Sequence, residues 1–307
     1  MKKVILSMRK LIALTGVAVI TTGAFAGQTS PNIDFTASLQ GGYTNFSSSE
    51  NEFDYRYEVK LKGILKTSRL IVKVGDTYQY WKYNDWVKQL GGDDSLSINV
   101  PFIKVGKRFN EKVYGEIGGF YVSGDTDKLL ADGSFDVKLT LKGKVNNYLT
   151  LGLFNSYYRI ANGNSDADIV QITPYAEFNY KRFFGRIYAS GQNIRATFGD
   201  TTVGKAYARG GLDIGYRIIP QKLGVMIGGA IGKGWYWINP NGEDIYPMAR
   251  PQMGNAYIGG YWKPLTEKPL VIKAGVSYEV WKTIDINKED IDNQSGLGIN
   301  IGLSYSF

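Results

Sequence analysis

Phe53-Asp54-Tyr55-Arg56-Tyr57-Glu58-Val59-Lys60-Leu61-Lys62-Gly63 alternates without a break: odd positions are apolar, aromatic or glycine, and even positions are charged. Successive side chains of a strand point to opposite faces, so this stretch has one apolar face and one charged face. The pattern recurs from Phe135 to Val145, from Ala206 to Ile218, and from Leu297 to the final Phe307.

Marking every such stretch predicts fourteen strands, near 34–46, 52–66, 69–81, 95–104, 113–123, 134–145, 148–160, 169–180, 184–192, 205–219, 223–237, 255–263, 270–281 and 295–307. Short connections such as Asn146-Asn147 and Pro220–Lys222 alternate with longer ones at 47–51, 82–94, 124–133, 161–168, 193–204, 238–254 and 282–294. Strands of about ten residues with alternating short and long connections describe an antiparallel up-and-down transmembrane barrel. The expected fold is therefore all-β with about 14 strands, and a count of 12 or 16 stays open at this stage. An even count puts both chain ends on the periplasmic side. A soluble sandwich would bury its apolar faces, but so many evenly charged opposite faces suit a barrel with a wet interior better.

The first 26 residues read differently. Lys2, Lys3, Arg9 and Lys10 precede an apolar run, Leu11–Ile20, and Ala24-Phe25-Ala26 is a small-residue cleavage site. The expected organisation is a signal peptide at 1–26 and a single barrel at 27–307. Without those four leader cations, 32 basic side chains remain against 28 acidic ones.

The exported chain resembles Gram-negative outer-membrane β-barrels of the porin kind over Gly27–Phe307. The most specific mark is the last strand, ending Leu303-Ser304-Tyr305-Ser306-Phe307. The resemblance implies that this terminal aromatic strand is read by the barrel-assembly machinery. It also implies a bacterial outer-membrane location, with lipid and lipopolysaccharide as surroundings.

Composition narrows the chemistry. The sequence has neither Cys nor His. Disulfides, thiolate metal sites, Ser-His and Cys-His mechanisms are thereby removed. Outer-membrane phospholipases and omptin-like proteases need His, so neither chemistry fits. No catalytic, cofactor or metal site is expected. The acidic loops Gly124–Asp127, Asn164–Asp168 and Asn287–Asp292 lack a full EF-hand pattern, and divalent bridging there is a weak reading. Nucleic-acid binding does not follow from the pI of 9.2, because the basic residues interleave with apolar ones along whole strands. The Gly-rich run 224–234 lies on a strand with no following helix, where small residues relieve crowding on the wall.

If the polar face is the lumen, its expected pore-lining cations are Arg56, Lys60, Lys62, Lys73, Lys138, Lys142, Lys144, Arg209, Arg217 and Lys273, with Arg186 and Lys205 beside them. The facing carboxylates are Asp54, Glu58, Glu116, Asp136, Glu177, Asp213 and Glu279. An excess of confined positive charge favours anions. The same side chains could instead pair and brace the wall. Tyr78, Tyr80, Tyr175, Tyr188 and Tyr207 are candidates for a polar-aromatic track. Rim aromatics are expected at Tyr43/Phe46, Trp81, Tyr121, Tyr157/Tyr158, Trp235/Trp237 and Trp281, and at Phe35, Phe102, Tyr148, Phe184, Trp262 and Phe307 on the opposite side.

The reading that follows is a channel for passive diffusion of small hydrophilic solutes with mild anion preference. Only about seven residues, Gly27–Ile33, precede the first predicted strand, which leaves no room for a plug or hatch. The alternative is a structural or adhesive barrel acting through its loops. The longest of these, Ile238–Gly254, could equally fold inward as a constriction.

Overall fold

The computed structural model describes residues 33–46, 53–85, 94–124, 133–162, 165–198, 201–234, 238, 252–264, 270–283 and 291–307. The expected signal peptide, Trp235, Trp237 and most of the acidic loops lie outside the described residues. Fourteen strands close into one barrel. In chain order they are β1 Asp34–Phe46, β2 Phe53–Lys66, β3 Leu70–Tyr83, β4 Ser95–Arg108, β5 Val113–Gly124, β6 Ser134–Lys144 and β7 Leu149–Asn162. The second half is β8 Ser165–Tyr180, β9 Phe183–Phe198, β10 Thr201–Ile219, β11 Leu223–Gly234, β12 Gln252–Trp262, β13 Leu270–Thr283 and β14 Ile291–Ser306. Each strand pairs antiparallel with its sequence neighbours, and β1 pairs with β14 from Thr36↔Ser306 to Phe46↔Gly296. The terminal Phe307 N–H donates to the Phe35 carbonyl at 2.8 Å, and the two rings sit 5.7 Å apart. The last residue thus fastens the closing seam.

One rim is made of short turns with local chemistry. Asn110 Oδ1 accepts the N–H groups of Lys112 and Val113, both at 2.8 Å. Asn146 Oδ1 does the same for Tyr148 and Leu149 at 2.8 and 2.9 Å. An Asn side chain that mimics a backbone acceptor bends the chain without a longer loop. Lys181 and Gln221 take the left-handed backbone conformation at two further turns, with φ of 53° and 63°.

The faces of the wall are inverted relative to a soluble protein. Along β6, Ser134, Asp136, Lys138 and Thr140 are buried inside while Phe135, Val137, Leu139 and Leu141 are exposed outside. Leu39, Ile103, Ile117, Ile187, Ile227 and Ile299 continue this exposed apolar belt around the barrel. A charge on such a face at mid-membrane costs roughly 2–4 kcal/mol for Arg or Lys, which is why the ionised residues turn inward. Asp76 departs from the rule. It sits outside, midway along the 14-residue β3, with Leu61 and Pro101 as its ladder partners.

Three expectations need correction. The connections at 161–168 and 193–204 are largely strand: β7 and β8 pair up to Asn162↔Ser165, and β9 and β10 up to Thr201↔Phe198. These hairpins outgrow the stretch needed to cross a bilayer. Second, the inside-polar rule reverses towards the loop rim. Leu96, Ile98 and Val100 face inward while Ser97 and Asn99 face outward, and Ile169, Ile194 and Ala196 repeat this. Once the wall stands clear of hydrocarbon both faces can meet water, so the apolar side turns in and packs as in a soluble barrel. Third, Phe46, Trp81, Tyr158 and Trp281 do not form an outer girdle. All are buried inside, at 0–5% exposure. Tyr43, Tyr121 and Tyr157 keep the outer position on that side, and Tyr148, Trp262 and Phe307 are exposed at the turn rim.

Candidate functional site

The interior has two compartments. The loop half is filled by an apolar cluster that includes Trp81, Leu96, Ile98, Val122, Phe154 and Ile169. Its aromatic corner packs Phe53 on Trp81 with centroids 4.9 Å apart and Phe46 on Trp81 at 5.9 Å. Ile238, from the connection between β11 and β12, is drawn into this cluster at 1% exposure. Gln171 holds it there: the Gln171 amide donates to the Ile238 carbonyl at 2.8 Å and accepts the Ile238 N–H at 3.2 Å. Gln192 donates to the same Gln171 oxygen at 3.2 Å.

The belt and turn half is polar and holds open volume. A cavity of about 630 Å³ is lined by Arg56, Glu58, Lys60, Arg186, Asp213, Tyr188, Tyr257, Tyr261 and Lys273, among others. A second, of about 310 Å³, shares Gln40, Lys60 and Lys273 with it and runs on to Lys62, Thr77 and Phe102. Voids of this size match small-molecule sites.

All ten expected pore cations occupy inward-facing strand positions, but in different settings. Arg56 bridges Glu279 at 3.1 Å, donates to Thr44 at 3.1 Å and lies 4.7 Å over the Trp81 ring. Lys60 pairs with Glu58 at 3.0 Å, and Lys142 with Glu177 at 2.9 Å. Lys138 is sealed in the wall at 3% exposure, 3.5 Å from Asp136 and 4.0 Å from the Phe120 ring centre. Asp136 also accepts from the Ser156 hydroxyl. Lys73 reaches Glu116 at 2.8 Å. Arg209 is buried and donates to Asn255 at 2.6 Å. Arg217 lies 4.7 Å over the Phe184 ring near the turn rim, and Lys144 is exposed there. Lys273 is exposed within the cavity lining. Lys62 lines the second void.

Sequence reasoning missed Lys104, which faces inward at 2% exposure and bridges Glu116 at 3.2 Å. Its alternation phase within β4 carried that signal. Tyr78 and Tyr80 sit in the outward phase of β3, with Tyr78 donating to Ser97 at 3.3 Å, so they are not part of an interior track. Tyr175, Tyr188 and Tyr207 do face inward. Among the described residues no cluster of three or more Asp or Glu is placed to hold a metal ion.

Six interior rings share one construction. Tyr175, Tyr188, Phe184, Tyr261, Tyr257 and Phe102 stand directly across the ladder from Gly152, Gly211, Gly215, Gly224, Gly228 and Gly75. A Cβ on Gly211 or Gly215 would fall 2.2 Å from the facing ring, and on Gly228 2.7 Å. Each ring therefore lies across bare backbone, close to the wall. The Gly-rich run of β11 is the seat for two of them.

No family model and no curated protein matches the sequence. Solved structures do match in fold. The P. putida toluene transporter TodX is similar over 91% of this chain and 90% of its own, with a TM-score of 0.54 and 10% identity. A Pseudomonas aeruginosa FadL homologue is similar over 90% of both chains, with a TM-score of 0.56 and 10% identity. The monoaromatic hydrocarbon channel CymD gives 0.54 at 10% identity, over 91% of this chain and 90% of its own. These likenesses establish the fold class, an outer-membrane type of β-barrel.

Proposed function

We propose that the chain is an outer-membrane channel for passive diffusion of small hydrophilic solutes, with mild anion preference. The observation that carries this reading is the charge of the open volume: Arg56, Lys60, Arg186 and Lys273 line the main cavity against Glu58, Asp213 and the Glu279 that pairs with Arg56, leaving an excess of one cation. In a confined site with low-dielectric walls such an excess raises local anion concentration. The outer apolar belt supports a membrane location, and the resemblance of the last strand supports assembly by the outer-membrane machinery. No catalytic role is assigned to the paired carboxylates, which serve as counter-ions to the cations. Liposomes containing the refolded protein should swell in isotonic small sugars at rates that fall with solute size. Liposomes that swell no faster than protein-free ones would overturn the channel.

A second reading is passage of apolar solutes, as the names of the structural neighbours describe for those proteins. The apolar interior of the loop half favours it. Accelerated uptake of toluene with no swelling in sugars would select it.

A further inference from the structure

Several inward glycines near the cavity, such as Gly211, Gly224 and Gly228, are covered by a cross-strand ring, whereas Gly42, Gly259, Gly275, Gly298 and Gly302 are not. Gly259 on β12 and Gly275 on β13 are ladder partners. Around a Cβ built on Gly259 the nearest atoms are all backbone, beginning with the Ala274 carbonyl at 3.0 Å; on Gly275 they are backbone and Asn300 Oδ1 at 3.3 Å. Among the described residues no ring lies across this floor. Both glycines line the main cavity.

The borders of the floor follow from register. Tyr257 and Tyr261 occupy the inward positions two residues before and after Gly259, so their Cα atoms stand about 13 Å apart along the strand. Both rings are held at the wall by Gly228 and Gly224, and Tyr257 is fixed further by donating to Asp213 at 2.6 Å. Lys273 stands directly across from Tyr261, and Asn300 directly across from Gly275. The result is a recess floored by glycine backbone between two aromatic walls, with the Asn300 amide at its edge and an ammonium group at one corner.

We propose that the recess over Gly259 and Gly275 is a binding subsite for a small ring-bearing carboxylate. The ring would pack on the bare floor between Tyr257 and Tyr261, and the carboxylate would meet Lys273. The inference rests on the anion-channel reading and names its substrate class. Aromatic contact adds binding beyond area alone, and a charge-assisted hydrogen bond orients the acid.

The test is calorimetric titration of the detergent-folded barrel with benzoate, glucuronate, acetate and benzyl alcohol. It needs no conduction, so a barrel that binds but does not conduct would overturn the channel and keep the subsite. Benzoate or glucuronate should bind about tenfold tighter than acetate, and also tighter than benzyl alcohol, which lacks the carboxylate. Which of the two acids wins tells an aromatic from a carbohydrate substrate. Lys273→Gln should weaken the preferred acid about tenfold. Gly259→Ala keeps every charge and fills the floor, and should weaken the ring-bearing acids while leaving acetate unchanged. Circular dichroism and heat-modifiable migration confirm folding of each variant. Equal affinity for acetate and both ring-bearing acids, or an unaltered ring preference in folded Gly259→Ala, would overturn the proposal.

Discussion

Arg56 on β2 reaches Glu279 on β13 at 3.1 Å, spanning the inner faces of β1 and β14, the two strands that close the barrel. Both side chains are nearly buried, at 12% and 10% exposure. The bridge therefore ties the strands flanking the seam, and its removal should be felt there. Glu279→Ala leaves a buried guanidinium without its counter-ion and should cost about 3 kcal/mol in urea unfolding. The double change Arg56→Met with Glu279→Met removes both charges and should recover most of that loss. A double variant as unstable as the sum of the two singles would mean that the pair does not act as a unit.

Gly228→Ala should be harmful where Gly143→Ala is not. At Gly228 an added Cβ meets Tyr257 Cζ at 2.7 Å and Asp213 Oδ1 at 2.6 Å, whereas at Gly143 nothing lies within 4 Å. Overpacking of this kind costs about 1–3 kcal/mol. Gly143→Ala should be neutral or stabilise by a few tenths of a kcal/mol, through the unfolded chain. Equilibrium unfolding of the two variants side by side checks the contrast, and equal midpoints would remove the argument that rings are seated on glycine.

Asp76 is a carboxylate on the apolar belt. Asp76→Asn keeps an oxygen acceptor at the same place and removes the charge, so it should raise stability by about 1 kcal/mol. An unchanged or lower unfolding midpoint would show that the carboxylate is stabilised where it stands.

Gln171 is the only described side chain shown bonding to Ile238, and it does so through both backbone groups. Gln171→Leu removes the donor and the acceptor at once. If Ile238 obstructs the loop half of the bore, single-channel conductance of this variant should exceed that of the parent at equal salt. Identical conductance would place the obstruction elsewhere.

The period-two alternation from Phe53 to Gly63 and from Phe135 to Val145 specifies strands and their two faces, and the chain as a whole specifies how many. Alternation does not say which face turns inward. That is decided by whether the outer side meets hydrocarbon or water, which is why Leu96, Ile98 and Ile169 went inside while the belt residues went outside. The same ambiguity misplaced Trp81, Trp281, Tyr78 and Tyr80. The inward placement of the cations was legible because a Lys or Arg on the belt is costly. Their partners were not, since Arg56–Glu279 and Lys142–Glu177 join residues distant in sequence whose apposition depends on register. The recess over Gly259 and Gly275 was equally hidden, because a glycine without a covering ring looks the same in sequence as one with it.

The most direct test of the central claim is the zero-current potential of the reconstituted protein in a KCl gradient, for the parent and for Lys60→Glu/Lys273→Glu. The two lysines line both cavities. Their charge is confined, while loop charges are screened beyond about 8 Å at physiological salt. The parent should favour Cl⁻, and the variant should shift towards K⁺, most strongly at low salt. A folded, conducting parent with no preference or a K⁺ preference, or a variant with the parent's potential, would contradict an anion-favouring bore.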